Sequence, residues 1–385
     1  MRTSWLTIGF MVFSVLLTGC WDKAELPEYG FVQGAAIDEN RVGDTELTTL
    51  FYKPGGGGME SHMAAKGGPS SFQVKTTGHS VFEAIRDIPI HLGRKAKWDH
   101  MRVILVSESL AKSQGLGRVL DFYSRDHEPR GTILVFITEG EARKYISIKP
   151  FIENTMAQQL KRIQETASRF SSKTVKTALI NIALQIKSET GFGTVPYLRF
   201  HGEDATVDGI AVLKKGKMVD LLTSNEAQRL SMLTNDYESG VIDLPCSKND
   251  SGQHFEDESV EVFNSYTTSE MKIEGETLTV HYITNIEGAV GEMHCSTIKT
   301  REQEMAFTRK VEKKVVQEMR ELVRHLQQKK VDSLGLGNKV YRQHLKLWKR
   351  WKPDWEERFA HVKFEFDVRV VLRNTGTTSG RSIAK

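Results

Sequence analysis

Met101–Ser107 (MRVILVS) and Thr132–Thr138 (TILVFIT) decide the fold of the N-terminal half, because both are apolar segments of strand length. They are rich in β-branched residues and do not alternate with polar ones, as is typical of strands buried on both faces. A helix is predicted between them at about Leu116–Tyr123. Two such strands separated by a helix predict an α/β layer with a covered sheet.

The segments on either side of this pair add to the same layer. Phe31–Ile37 and Thr45–Tyr52 have the composition of strands. Residues 81–92 place apolar side chains at spacings of four, three and four behind Ser80 as N-cap. This spacing defines one face of a helix, which Pro89 must bend or end. Two further helices are predicted at about 155–169 and 174–188.

A change of pattern at residues 191–196 (GFGTVP) predicts a domain boundary. We therefore expect an N-terminal mixed α/β sheet domain over residues 20–195. An α+β region is expected over residues 196–385, either as one unit or as two subdomains at about 196–245 and 246–377.

The C-terminal region is dominated by one long helix over about residues 301–330, whose apolar residues keep largely to spacings of three and four. Its opposite face is charged, so an amphipathic helix packed on a sheet is favoured over a helix that binds a partner. The surrounding segments predict a mostly antiparallel sheet. They are a hairpin at 208–213 and 218–222, a helix at 224–233, strands at 260–273 and 277–286, a helix at 338–350 and a closing strand at 361–373.

The first 19 residues have the pattern of a signal peptide. A positive start at Arg2 precedes an almost wholly apolar stretch, Trp5–Leu17, which is shorter than the roughly 20 residues that a membrane span needs. The stretch ends in the lipobox Leu17-Thr18-Gly19-Cys20. We therefore predict that residues 1–19 are removed and that Cys20 becomes an N-acyl, S-diacylglycerol cysteine. Two or more acyl chains suffice for stable membrane anchoring.

Charge and cysteine content exclude other classes of protein. The net charge of +4 comes from 53 basic and 49 acidic residues, and loss of Arg2 leaves +3 (52 − 49), which does not favour nucleic acid as a partner. Three cysteines are too few for a disulfide framework. Besides Cys20 there are Cys246 and Cys295, and two buried free thiols are favoured over a disulfide formed outside the cell.

The sequence carries no recognisable catalytic motif. The Gly-x-Ser-x-Gly motif of hydrolases and the Gly-x-x-x-x-Gly-Lys-[Ser/Thr] phosphate loop are both absent. A metal site at His281 with His294 and Cys295 is disfavoured, because adjacent strand residues point to opposite faces. We predict no enzyme activity, no metal and no cofactor other than the covalent lipid.

A glycine-rich loop interrupts the N-terminal domain at residues 54–71. Gly55 to Gly58 form a run of four glycines, whose ordering into a regular element would lose too much backbone entropy. We expect a mobile, solvated insertion rather than a cover over a site.

Two polar clusters precede the two decisive strands, at residues 94–102 (RKAKWDHMR) and 125–130 (RDHEPR). Both clusters lie at the N-terminal ends of the two strands, which is the less usual side for a ligand site in an α/β layer. In the simpler interpretation these charged loops pair with each other. In the functional interpretation they form a polar patch that docks a partner protein, made of Arg94, Arg102, Asp126 and Arg130.

Residues 348–355 (WKRWKPDW) interleave tryptophans with cations. Such a stretch can lie at a membrane interface. We favour a helix end whose tryptophans pack inward, with a membrane-proximal contact as the alternative.

Residues 17–26 (LTGCWDKAEL) resemble the start of the mature C subunit of bacterial spore germinant receptors, the Ger(x)C family. The resemblance continues in the same order over essentially the whole chain. Its further elements are Arg94-Lys95 with Trp98-Asp99-His100, Arg125-Asp126, Asp208–Val212, Trp348 with Trp355, and Arg369–Thr375.

This resemblance implies a peripheral lipoprotein on the outer face of the spore inner membrane, which assembles with integral membrane subunits A and B. Small nutrients trigger such receptors, and direct binding of a germinant by this subunit is left open. The family has no known catalytic residues, and Cys20 alone carries over a defined role. A solute-binding lipoprotein of a transporter is the alternative and would need a cleft between two similar lobes. A surface hydrolase would need a pocket that holds a nucleophile and a base.

Overall fold

The computed structural model describes residues 26–53, 70–246 and 257–374. Two β-sheets organise these residues, one of nine strands and one of four. The strands of the first sheet are β1 (Tyr29–Glu39), β2 (Thr45–Tyr52), β3 (Ser71–Gly78), β4 (Lys95–Lys97), β5 (Val103–Ser107), β6 (Leu134–Thr138), β7 (Phe192–His201), β8 (Asp204–Lys214) and β9 (Lys217–Leu222).

The first sheet is parallel at its centre and antiparallel at both edges. Its order is β3-β2-β1-β5-β6-β7-β8-β9, with β4 paired to β1. β1, β5, β6 and β7 run parallel to one another, whereas β2, β3, β8 and β9 join their neighbours in antiparallel pairs. This is the mixed sheet that the sequence predicts.

Short helices cover both faces of this sheet. The predicted helix over 81–92 forms two helices that meet at Asp87, and Pro89 lies in the first turn of the second, where its missing N–H removes no helical bond. Ser80 caps the first helix by accepting from the Glu83 amide at 3.2 Å. The helices are α1 (Val81–Arg86), α2 (Ile88–Leu92), α3 (Glu108–Ser113), α4 (Leu116–Val119), α5 (Asp121–Arg125), α6 (Ala142–Ile146), α7 (Met156–Phe170) and α8 (Leu179–Ile186).

The two segments that decide the fold are β5 and β6, which are parallel neighbours with Val103 opposite Leu134. Every residue of both strands is buried. Ile104 and Val106 face a core shared with α1 to α5 and α8, whereas Val103 and Leu105 face a core shared with α6 and α7. Helices on both faces explain why neither strand alternates with polar residues.

Residues 191–196, predicted as a break, belong mostly to β7, and the predicted boundary at 195 lies inside that strand. Gly191 has a left-handed backbone (φ 69°), and its carbonyl accepts from the Lys215 amide at 2.7 Å, so it helps to pair β7 with β8. Pro196 is tolerated because the register of this pair shifts just after it. β8 and β9, beyond the predicted boundary, complete the first sheet.

The second sheet has the order β10-β11-β12-β13, formed by β10 (Gly240–Pro245), β11 (Asp257–Glu274), β12 (Thr277–Glu292) and β13 (Lys363–Asn374). The first three strands are antiparallel, and β13 is parallel to β12. A helix of 29 residues, α10 (Arg301–Lys329), packs on this sheet through an apolar stripe that includes Val311, Val315 and Met319. The predicted amphipathic helix on a mostly antiparallel sheet is confirmed.

A helix between the sheets, α9 (Ser224–Thr234), joins the two halves. It contacts β8 and β9 of the first sheet and β11, β12 and α10 of the second half. Ile210 and Leu222 from the first sheet share one buried core with the apolar stripe of α10. The remaining helices are α11 (Leu336–Gln343), α12 (Leu345–Trp351) and α13 (Trp355–Ala360).

Candidate functional site

The predicted lipid attachment site, Cys20, lies outside the described residues, as do the signal peptide and residues 54–69 of the predicted insertion. The described chain begins with a short 3₁₀ turn, Leu26–Glu28, that leads directly into β1. Because β1 lies third in the first sheet, the chain from Cys20 enters the fold at an inner strand. Lipidation of Cys20 stays a prediction.

The two predicted polar clusters lie in the segments that precede the neighbouring parallel strands β5 and β6, and the first cluster includes the short strand β4. Glu128 joins them, since its carboxylate accepts from the Lys97 ammonium and from the Trp98 backbone amide, both at 3.1 Å. Trp98 is buried and packs edge-on against Tyr123. The charged loops therefore pair with each other, as in the simpler interpretation.

The four residues of the predicted docking patch differ in their surroundings. The Arg102 guanidinium donates to the Gln33 side chain at 3.1 Å, and Asp126 accepts from the Glu128 backbone amide at 2.9 Å. Arg94 and Arg130 are exposed. No hydrogen bond or ion pair within the described ranges joins two of the four, so their role in docking stays a prediction.

An apolar groove of about 640 Å³ opens beside these loops, and sequence reasoning missed it. Phe82 of α1 and Phe122 of α5 line it with ring centroids 5.7 Å apart, and the Arg86 guanidinium lies 4.9 Å from the centre of the Phe82 ring. Phe82 is 48 % exposed. The position of Phe82 beside the apolar face of the predicted helix, rather than within that face, is the sequence signal that could have indicated this groove.

Cys246 and Cys295 form a disulfide with their Cα atoms 6.0 Å apart, so the prediction of two free thiols was wrong. The bond joins the residue after β10 to the segment after β12. These two strands lie on either side of β11, and the sheet register that brings them together cannot be read from cysteine spacing.

Glu258 of β11 lies beside this disulfide and is fully buried. Burial raises the pKa of its carboxyl, but bonds from Lys310 (2.7 Å) and from the Ser296 hydroxyl (3.0 Å) and amide (2.5 Å) outweigh it and hold that pKa below its ordinary value. Potential ligand atoms of Cys246, Cys295 and Glu258 lie within 4.8 Å of one another. The sulfurs are bonded to each other and the carboxylate is bonded to Lys310, so this group offers no thiolate to an ion.

The tryptophans of residues 348–355 pack inward, with exposed fractions of 2 % for Trp348, 1 % for Trp351 and 4 % for Trp355. The Trp348 indole donates to Glu189 at 2.9 Å and thereby ties α12 to the segment after α8. The favoured prediction for this stretch is confirmed.

The Trp355 indole donates to Asp332, a carboxylate that is almost completely buried, at 3.0 Å. The same carboxylate accepts from the backbone amides of Leu336 (2.9 Å) and Gly337 (2.7 Å) at the start of α11. Burial raises the pKa of Asp332 to about 6, although these bonds oppose the increase. Asp332 thus holds two helices of the C-terminal half together.

The described residues form a two-part α+β architecture, in which a mixed nine-stranded sheet is followed by a four-stranded sheet under a long helix. Residues 22–200 match the family model described as "Spore germination protein N-terminal domain", and residues 208–376 match "Spore germination B3/ GerAC like, C-terminal". The chain belongs to this Ger(x)C family of spore germination proteins. The family resemblance drawn from the sequence is confirmed.

Relatives match over nearly their whole length. Spore germination protein B3 of Bacillus subtilis (strain 168) is 26% identical over 378 residues, which cover 95% of this chain and 97% of B3. Spore germination protein KC of the same organism is 22% identical over 398 residues, which cover 97% of this chain and 96% of KC. The crystal structure of the GerBC protein shares the fold with a TM-score of 0.55 at 20% identity, and the match covers 92% of this chain and 100% of GerBC.

Among the described residues, no helix is both long enough and apolar enough to cross a membrane.

Proposed function

We propose that this chain is the membrane-anchored lipoprotein subunit of a spore germinant receptor. In this proposal Cys20 carries the lipid, the body lies at the outer face of the spore inner membrane, and integral membrane subunits A and B complete the receptor. The main support is a match to spore germination proteins over 95% of a chain that carries a lipobox at residues 17–20. The germinant itself is a small nutrient molecule.

The fold favours this role over that of a solute-binding lipoprotein. A binding protein of that kind closes two similar lobes around its solute. Here the halves are built on sheets of nine and four strands with different orders. The family is not a known enzyme family, and we infer a non-enzymatic role in the receptor.

Spores that lack the gene provide the first test, in a strain without its other germinant receptors so that sister proteins cannot compensate. We expect loss of germination on one class of single nutrients, with normal outgrowth once germination is forced by other means. A normal response to every nutrient would contradict the proposal. A growth or uptake defect on a single solute would instead support the transporter lipoprotein.

The anchor is tested by Cys20→Ala, with Ser14→Ala in the same signal peptide as the matched control. We expect Cys20→Ala to lose lipid attachment, measured by mass spectrometry of the N-terminal peptide, and to leave the membrane fraction. The soluble body should stay folded, since the described fold begins at residue 26. Full retention of Cys20→Ala in the membrane would refute anchoring through Cys20.

A further inference from the structure

We propose that one face of the N-terminal half rests on the lipid bilayer. This inference rests on the proposed lipid anchor at Cys20 and names the part of the protein that touches lipid. We call this surface the membrane face. It consists of an aromatic groove lined by Pro27, Tyr29, Phe31, Tyr52, Phe72 and Leu92, and of the neighbouring loop tip Phe151-Ile152.

The groove has a volume of about 770 Å³ and lies where the start of β1, the end of β2, the start of β3 and the end of α2 meet. Four of its lining residues are aromatic, and none of the four is fully buried. Tyr29 and Tyr52 combine an apolar ring with a hydroxyl, a combination that is favoured where hydrocarbon meets water.

The loop before α7 lies across the edge strand β3 from this groove, beside residues of the core shared with α6 and α7. Phe151 is 67 % exposed and Ile152 is 90 % exposed. The loop borders a second groove that shares Phe72 with the first, and the Ser70 hydroxyl donates to the Asn154 carbonyl, which fixes the loop beside β3. Two adjacent large apolar side chains at an exposed tip mark an interaction surface.

The length of the chain brings this surface to the bilayer. Pro27 lines the groove and lies seven residues after Cys20. Seven residues span at most about 25 Å when fully extended. A lipid on Cys20 therefore keeps the groove within about 25 Å of the headgroups.

The charge at the rim suits an anionic lipid surface. Lys53 and Arg94 line the groove, and Lys149 lies next to the exposed loop tip. All three are exposed, and none forms an ion pair within the described ranges. Of the nearby acids, Glu153 lies 3.7 Å from Arg162 and Glu28 is exposed. Free cations around an apolar surface favour anionic headgroups.

The test couples the mature chain, residues 20–385, through the Cys20 thiol to vesicles of phosphatidylethanolamine and phosphatidylglycerol that carry a maleimide lipid. The disulfide occupies the other two cysteines. The photoreactive residue p-benzoylphenylalanine replaces Phe72, Phe151 or, as the control, Phe170. Phe170 is 62 % exposed and is the last residue of α7, about 20 Å from the first residue of that helix.

We expect lipid labelling at positions 72 and 151 to exceed that at position 170 by about tenfold. Equal labelling at position 170 would overturn the membrane face. So would crosslinks from positions 72 and 151 to this chain's own residues 54–69 or to a second copy, because those occupants would cover the groove instead. Replacing phosphatidylglycerol with phosphatidylcholine should reduce labelling at position 151 several-fold, and unchanged labelling would contradict the role of the rim cations.

Chemical coupling makes this result independent of lipid transfer in the cell. Failure of the membrane face would leave the N-terminal peptide lipidated and the membrane fraction unchanged. Failure of the proposed anchor would be detected as an N-terminal peptide without lipid. That outcome does not depend on the labelling pattern on the vesicles.

Discussion

Asp332→Asn should destabilise the C-terminal half, because the carboxylate accepts from three N–H donors and an amide in its place cannot accept from all three. The Leu336 amide donates to one oxygen, while the Gly337 amide and the Trp355 indole donate to the other. In the variant one of these positions holds an NH₂ group that faces an N–H donor. With the best orientation of the amide, one buried donor is left unsatisfied, which costs about 2 kcal/mol.

The assay is urea unfolding of the mature chain at pH 7, followed by the fluorescence of the buried tryptophans. Asp367→Asn is the matched control, since the Asp367 carboxylate is 64% exposed and its pair with His281 should contribute at most about 0.5 kcal/mol. Equal free energies of unfolding for Asp332→Asn and wild type would refute the assigned bonds. Such a result would mean that Asp332 does not act as a charged acceptor.

Three further predictions concern the same chain. Burial raises the pKa of Asp332 to about 6 in the folded state, above its ordinary value of 3.8, so stability is lost as the pH rises through 6. The urea midpoint of wild type should therefore fall between pH 4 and 7 by more than that of Asp332→Asn. Reduction of Cys246–Cys295 with dithiothreitol should lower the free energy of unfolding by about 4 kcal/mol, because the bond closes a loop of 49 residues, and an unchanged urea midpoint would contradict this. Glu128→Gln should lower the free energy of unfolding by about 1 kcal/mol through loss of the charged bond to Lys97. A stability equal to wild type would show that the charge of Glu128 does not stabilise the pairing of the two loops.

Local composition was enough to predict the elements that are buried on both sides or on one long face. β5 and β6 lie between two helix layers, so their continuous apolar runs reflect their surroundings directly. The helix α10 keeps an apolar stripe over 29 residues, and a pattern of that length allows few other interpretations. The family motifs also allowed a direct prediction, because they specify residue identities as well as a hydrophobic pattern.

Features that depend on contacts between distant segments could not be predicted in the same way. Gly191 and Pro196 suggested a boundary, but the pairing of β7 with β8 accommodates both residues. Cys246 and Cys295 are 49 residues apart and are brought together only by strand order. Glu128 was visible as one charge in a cluster, and its link to the Lys97 loop depends on β5 and β6 being neighbours.

The candidate membrane face is the clearest example of a feature that depends on contacts between distant segments. Its apolar residues come from five segments that are widely separated in the sequence, and none of the segments stands out by composition. Only the tryptophan-rich stretch resembled an interfacial sequence, and its tryptophans are buried. Aromatic content therefore misdirects a search for membrane contact unless the exposure of each ring is known.

The contacts of α9 determine how the position of an anchored N-terminal half would affect the rest of the chain. Near the start of α9, Glu226 lies 2.5 Å from the His325 ring of α10. One turn later, buried Arg229 lies 2.8 Å from Glu318, also on α10, although the two groups are not aligned for a hydrogen bond. A buried charged pair adds little net stability, and we expect the Arg229–Glu318 pair to fix the orientation of α9 on α10 instead. Since α9 also packs on β8 and β9, a membrane face on the first sheet would hold α10 and the second sheet at a defined orientation to the bilayer.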